Sequence, residues 1–389
     1  MRLIRFLRQR EGRGLPLWRI GVVLPLAFLA ALSTAAVVFY AGWELLAVTE
    51  VKAEGVIDSK TLFDLVKLAF GAVAGFGALV ALVVAYRKQR VDEAGALREA
   101  TRLHTERFST AVAQLGDPST AVRLGGVHAL AGLADDAPTR RLRQTCIDVL
   151  CAYLRLPHVH PDSFVHDSVE WVNATGFLEV RNSVLRIIQA RLSLDADQEV
   201  SWRGHHFDFT GARFDGGDLS CCDFTGTALN FQGCTFDRPF SFAMTRFGGG
   251  CQALFTGCVV RDSGALSFSD AKFDASIVDF EGAQIDAGTV DFDSADFKDA
   301  LIGFRRARLV GLTSFRNATV DSGVISFEEA RCDGPFDFTG LDMLVSWEAD
   351  HEGFNFEGAF GAAPHTVVSE LTASNLCLPP EWVAVAEDD

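Results

Sequence analysis

The chain lacks most of the marks by which enzymes and secreted scaffolds are read. Its nine Cys, at 146, 151, 221, 222, 234, 251, 258, 332 and 377, are odd in number and form no CxxC pair. That excludes a disulfide framework and a zinc knuckle, and leaves small buried hydrophobes in a reducing compartment. No Ser nucleophile elbow, HExxH, P-loop or kinase signature occurs, and GAVAGFGA at 71–78 only imitates a dinucleotide motif inside an apolar run. Cations are scarce in the second half, where residues 201–389 hold 30 Asp and Glu against 12 Lys and Arg, a balance of −18 out of −16 for the whole chain. Binding phosphate needs clustered cations, so direct nucleic-acid binding is not expected there. Tyr and Met number three each beside 32 Phe. Phe has no polar end to leave in water, so this bias points to a buried stacking role.

What is abundant is apolar sequence: 49% hydrophobic residues and a mean hydropathy of +0.18 raise a membrane component. Ile20 to Trp43 and Leu68 to Tyr86 carry no formal charge, and each is long enough as a helix for a ~30 Å hydrocarbon core. The first run is too long for a signal peptide and no A-x-A-like site closes it. Arg2, Arg5, Arg8, Arg10, Arg13 and Arg19 precede it, and Arg87, Lys88 and Arg90 follow the second. The positive-inside rule then puts both termini in the cytoplasm of a multi-pass protein of the inner (plasma) membrane, with the bilayer as a partner. The Asn-x-Thr matches at Asn173 and Asn317 are coincidences in that placement. Gly71 and Gly75 form a GxxxG that would either join two chains as a homodimer or pack the second span on the first.

The expected division is a basic tail (1–19), a first transmembrane helix (20–43), a short extracytoplasmic loop (44–67) and a second transmembrane helix (68–86). A helical bundle (87–157), an irregular linker plus helix (158–200), a β-solenoid (201–358) and a C-terminal cap or tail (359–389) follow. In the bundle, Leu97, Leu103, Phe108, Val112 and Leu115 fall near helical spacing until Gly116 and Asp117-Pro118 stop them. Ser119-Thr120 opens a second helix, and Asp135 to Thr139 separates it from RRLRQTCIDVLCAYLRL. Residues 157–177 read as irregular, with one more helix from 179. His158, His160 and His166 stand close in sequence, and His205 and His206 are adjacent, yet no Cys or regular carboxylate spacing supports a metal site. They read as loop histidines. No catalytic, cofactor-binding or metal-binding residue is expected.

From residue 266 a unit of about twelve residues recurs: LSFSDAKFDASI, VDFEGAQIDAGT, VDFDSADFKDAL, IGFRRARLVGLT. Phe268, Phe280, Phe292, Phe304, Phe315 and Phe327 hold its first aromatic site, and Ala271, Ala283, Ala295, Ala307, Ala318 and Ala330 stand three residues on. Two further on come Phe273, Ile285, Phe297, Leu309, Val320 and Cys332, with a variable polar residue between. Inward offsets of two, three and five do not line up at 3.6 residues per turn. Small, polar and large in alternation is instead a short extended segment with two residues in and one out. Fixed self-similarity of this kind signals a solenoid that buries a core only by stacking. A twelve-residue turn has no room for two Phe, so two units, about 24 residues, are expected per turn, giving about six turns and a length near 30 Å.

The pentads AKFDA, AQIDA, ADFKD, ARLVG and ARCDG, with ARFDG from Ala212 and CDFTG from Cys222, resemble the pentapeptide-repeat family over roughly 205–358. The resemblance implies a right-handed four-sided parallel β-helix, although a step of twelve, two pentads plus two residues, departs from the family's strict five and leaves the cross-section open. The whole order of apolar runs, helices and Phe-rich repeats looks like the membrane-anchored pentapeptide-repeat proteins of actinomycete bacteria, a group without a shared biochemical activity. The fold class expected is therefore two transmembrane α-helices, a small α-helical bundle and a C-terminal β-solenoid. The function expected is non-enzymatic: a scaffold at the cytoplasmic face for an unknown protein partner. The alternative is an acidic coil that imitates duplex DNA toward gyrase or another DNA-binding protein, as soluble members of the family do.

Overall fold

The computed structural model describes residues 29, 33, 36, 37, 40, 59–261, 263–343, 353–361 and 376–377. They fall into two compact units, Met1–Glu99 and Ala100–Asp389. Helix α1 (Ser59–Leu115) runs through the boundary, and α2 (Thr120–Asp135), α3 (Arg140–Leu154) and α4 (Val169–Leu192) belong to the second unit.

The two-span expectation is corrected. Nearly all of 20–43 lies outside the described residues, as do the flanking arginines of the tail and 44–58. Leu68–Tyr86 is helical, but it is one third of the 57-residue α1, and no helix among the described residues is long and apolar enough to cross a membrane. Counting absent charges overstated this stretch, because nine of its nineteen residues are Gly or Ala and Asp64, Lys67, Arg87 and Lys88 close in on it. Residues 59–67, assigned to a loop, are its first turns. The plasma-membrane location is corrected on the same finding, and nothing among the described residues supports the membrane-anchored form of the actinomycete resemblance.

In the second unit the helices obey their local signals. Gly116 and Asp117-Pro118 follow the end of α1, and Thr139 caps α3 by accepting from the Leu142 amide at 3.3 Å. Helix α4 begins ten residues earlier than the sequence periodicity suggests, because Ser168 caps it, its hydroxyl accepting from the Trp171 amide at 3.1 Å. A Cβ on Gly126 would stand 2.6 Å from the Leu115 backbone nitrogen, so glycine there lets α2 lie against the end of α1. Val127, Leu130, Ile147, Leu150, Val184 and Ile188 are fully buried where the helices meet.

Beyond Ser201 every ladder is parallel, and the strands form four faces. Face one stacks His206–Asp208, Ala228–Asn230, Gln252–Leu254, Ile277–Asp279, Ala300–Gly303, Gly323–Ser326, Gly353–Asn355 and Leu376–Cys377. Face two runs through Val259–Val260, Gln284–Ile285, Arg308–Leu309 and Arg331–Cys332. Face three runs through Ala265–Ser267, Thr289–Asp291, Leu312–Ser314 and Phe336–Asp337. Two longer strands, Arg213–Asp218 and Thr235–Ser241, turn the corner between these two faces, with a register shift at Phe214/Asp215. Face four is Arg246–Phe247, Lys272–Asp274, Asp296–Lys298, Thr319–Val320 and Asp342–Met343. On face one the partners His206↔Ala228, Ala228↔Gln252, Gln252↔Ile277, Ile277↔Leu301 and Leu301↔Val324 lie 22–25 residues apart, matching two repeat units per turn. Each twelve-residue unit is thus half a coil with two strands.

Between faces one and two the chain turns on a four-residue bend in which the Ala283 amide donates to the Phe280 carbonyl at 3.0 Å and Gly282 has φ +64°. That is a turn with a left-handed third residue. Inside the coil, Phe209, Phe231, Phe255, Phe280, Phe304, Phe327 and Phe356 form one stacked column at 4.7–4.9 Å between ring centres. Phe242, Phe268, Phe292, Phe315 and Phe338 form a second.

Candidate functional site on the coil faces and the bundle seam

The columns fill the coil, so chemistry has to be sought outside it. The thiols illustrate this. Cys234 and Cys258 take the place of the small ladder residue and Cys332 that of the large one, all fully buried. Burial pushes Cys222, Cys234, Cys251 and Cys332 up to about 12 and Cys146 up to about 11, and it raises Cys151 and Cys258 as well. A thiol so held is neither nucleophile nor ligand. Of the eight cysteines whose side chains are described only Cys221 is exposed. Brief N-ethylmaleimide treatment of the native protein followed by peptide mass spectrometry is therefore expected to label Cys221 and to spare the seven others until denaturant is added.

The outward residues differ from face to face. On face one Ile277, Leu301 and Val324 are in register, with Ile277 41% and Leu301 50% exposed, a short apolar row on a flat parallel sheet. Face two presents Gln284, Arg308 and Arg331 in register. Face four presents Arg246, Lys272, Asp296 and Thr319. Carboxylates gather at the corners, where many tie the chain to itself: the side chains of Asp208, Asp218, Asp223, Asp279 and Asp337 each accept from the amide two residues on, at 2.8–3.0 Å. Others meet arginines of adjacent coils. Arg305 lies between Glu281 and Glu328, both at 3.8 Å, and Arg316 reaches Asp293 at 2.6 Å. The row Glu281, Arg305, Glu328 therefore alternates in sign.

At the other end of the coil the bundle closes on the first turn. Asp135, at the end of α2, takes Arg191 of α4 in a two-pronged contact at 2.6–3.0 Å, and its Oδ1 also accepts from the Trp202 indole at 3.0 Å. Arg143 of α3 donates to the carbonyls of Ala134, Asp135 and Ser201. Gln144 exchanges two hydrogen bonds with the His206 backbone, at 2.7 and 3.0 Å, as a neighbouring strand would. Arg155 pairs with Asp208, and Arg238 with Asp162 at 2.5 Å. These contacts satisfy the polar edge and the apolar end that an unstacked first coil would leave in water.

His205 sits inside this seam, 3% exposed, with Nδ1 donating to the Trp202 carbonyl at 3.1 Å and a buried Nε2 without a partner. Burial, with the charges of Arg140 and Arg143, lowers its pKa to about 4. The unfolded ring takes its proton near 6.5, so the folded state is favoured above that pH and loses this contribution as pH falls toward 4. We expect about 2 kcal/mol of stability to disappear across that window after allowance for solvent screening. Urea unfolding of the native chain and His205→Gln from pH 7 to 4.5 checks it: the variant should show the smaller loss.

The histidines singled out in sequence do not converge. The His158 side chain is buried and its Nε2 pairs with Asp215. His160 caps a 3-10 turn (Pro161–Ser163), its Nδ1 accepting from the Asp162 amide at 3.2 Å, and His166 lies at the surface against Trp171 and Asp167. Among the described residues no three His, Cys, Asp or Glu side chains group as metal ligands. Burial pushes the Asp215 carboxyl up, but the His158 hydrogen bond and the charges of His158, His160 and Arg213 outweigh it and hold it below the ordinary value. Sequence reading missed Asp135, Arg191, Trp202 and His205 as a group. Asp135 was read as a turn residue, and a buried Trp at the start of the repeat was the only available signal.

No protein-family model matches the chain, and no curated protein matches it. Among solved structures, trypsin-treated QnrB1, described as a plasmid-mediated fluoroquinolone resistance protein, is similar at 13% identity, over 50% of this chain and 92% of that one. Its TM-score of 0.15 means that too little of the two backbones superposes to bear on fold or function.

Proposed function

We propose that the chain is a non-enzymatic interaction scaffold whose coil presents fixed rows of side chains to a protein partner. The observation that carries this reading is the apolar row Ile277, Leu301 and Val324, which stands outside a core already filled and contributes nothing to the columns. Parallel strands hold its spacing near 4.8 Å, so a partner meets a preorganised surface and little ordering entropy is lost on binding. The paired corner carboxylates support the same reading, since they are committed to turns and to arginines of neighbouring coils. Imitation of duplex DNA would call for continuous acidic rows, whereas the corner row runs Glu281, Arg305, Glu328. Leu301→Asp leaves the core untouched. Crosslinking with mass spectrometry from native cells should return a partner that contacts 277–324 and is lost in Leu301→Asp; a partner set unchanged by that substitution would remove the proposal.

A further inference from the structure

Face one carries two outward rows. Gln252, Ile277, Leu301 and Val324 make the first, and Leu254, Asp279, Gly303 and Ser326, two residues further along the same strands, make the second. Leu254 therefore widens the apolar row, while Gly303 leaves a notch beside Leu301. The fold does not demand that glycine. Its φ lies outside the left-handed range, and beyond its chain neighbours the one described atom that a Cβ there would approach within 4 Å is Asp279 Oδ1, at 3.3 Å. Carboxylates stand on both edges of the face. Before the strands come Asp274, Asp299 and Asp321 against Arg246 and Lys298, and at their ends Asp279, Glu281, Glu328 and Glu329 against Arg305 and Arg306. Asp279 and Asp299 straddle the row, two residues after Ile277 and two before Leu301, which are partners in register. Asp279 accepts from the Glu281 amide at 2.9 Å and Asp299 from the Ser322 hydroxyl at 3.0 Å, but among the described residues neither has a basic partner. From Gln252 to Ser326 each strand of the face is paired on both sides, so the ladder offers no edge to an extended peptide. A partner has to engage through side chains.

We infer that face one docks a cationic amphipathic helix of a partner protein, lying along the coil axis across the strands. The inference rests on the scaffold reading and adds the chemistry of the partner. The rungs from Ile277 to Val324 span about 10 Å at ladder spacing. Apolar anchors at i, i+3 or i+4, and i+7 of a helix span about 10.5 Å. Such a helix sets its anchors on Ile277, Leu301 and Val324, one of them over Gly303, and its flanking Lys and Arg over Asp279 and Asp299. The acidic balance of residues 201–389 steers a cationic segment to this half of the chain.

The test is fluorescence anisotropy of the full chain with the labelled peptide LKKLLKLLKKLLKL, beside its acidic counterpart LEELLELLEELLEL and LKKLLKPLKKLLKL, whose central Pro breaks the helix and keeps the charge. Saturable binding of the first is expected, with the other two weaker by about tenfold or more. Asp279→Asn together with Asp299→Asn keeps both hydrogen-bond acceptors and should weaken binding several-fold. Leu301→Lys, and Gly303→Gln, which fills the notch without adding charge, should each weaken it by about tenfold with an unchanged circular dichroism spectrum. No saturable binding of the cationic helix, equal affinity for the acidic or the Pro-broken peptide, or binding indifferent to Leu301→Lys and Gly303→Gln would each overturn the inference. A dimer in sedimentation equilibrium that Leu301→Lys dissolves would assign the row to a second copy and overturn it too. The scaffold reading is judged apart from this: a crosslinked partner lost in Leu301→Asp, with no preference for the cationic helix, leaves the scaffold standing and strikes only the helix and charge assigned to its partner.

Discussion

Phe292→Ala is expected to destabilise the coil by about 3–5 kcal/mol, toward the upper end of that range. Phe292 is fully buried and stacks on Phe268 at 4.9 Å and on Phe315 at 5.0 Å, both within 8° of parallel. Edge contacts to Phe280 and Phe304 at 6.4 and 6.3 Å lock it to the other column. The cost of such a truncation depends on whether the site can close over the void. Here it cannot: the Phe268 amide donates to the Asp291 carbonyl and the Phe292 amide to the Ser314 carbonyl, both at 2.8 Å, so the coils above and below are pinned at ladder spacing. Phe292→Leu keeps most of the volume and should cost about 1–1.5 kcal/mol. Phe360→Ala, half exposed, should cost almost nothing. Guanidinium unfolding followed by tryptophan fluorescence checks the series. A loss below about 1 kcal/mol for Phe292→Ala would mean that the column does not bear on stability.

The spacing that makes this column was open to reading, because a parallel coil repeats one environment and selection for Phe or Ala at each rung writes the period into the chain. The number of faces was not. Asp270, Ser294, Arg306, Asn317 and Glu329 occupy the same left-handed turn position as Gly282, with φ between 54 and 57°. Without a glycine at every corner nothing marks where the chain bends. A twelve-residue unit therefore read as a short extended segment with the coil's cross-section left open, rather than as two strands and two corners. The second uncharged run, 68–86, misled for a different reason: absence of charge is local and easy to count, whereas spanning depends on apolar surface that Gly and Ala barely supply. The seam was illegible because its partners are far apart and occur once. Asp135 and Trp202 are 67 residues from one another, with no period to connect them.

That seam gives the second large effect. Asp135→Ala removes both acceptors of the Arg191 guanidinium and the partner of the fully buried Trp202 indole at once. Breaking a buried pair from one side costs about 3–5 kcal/mol, and because the Arg191 side chain remains 31% exposed the lower end, about 3 kcal/mol, is expected. Asp135→Asn keeps an acceptor for the indole and should lose about 1–2 kcal/mol. The damage should also be local. Arg143 grips backbone carbonyls that survive either substitution, including that of Asp135 at 3.0 Å, and a stacked coil passes strain only to its nearest neighbours. Hydrogen exchange should therefore quicken at 206–218, the strands beneath the bundle, while amides of the central coils at 277–304 keep their protection. If the two regions lost protection together, bundle and coil would unfold as one cooperative body rather than as a cap on a stack.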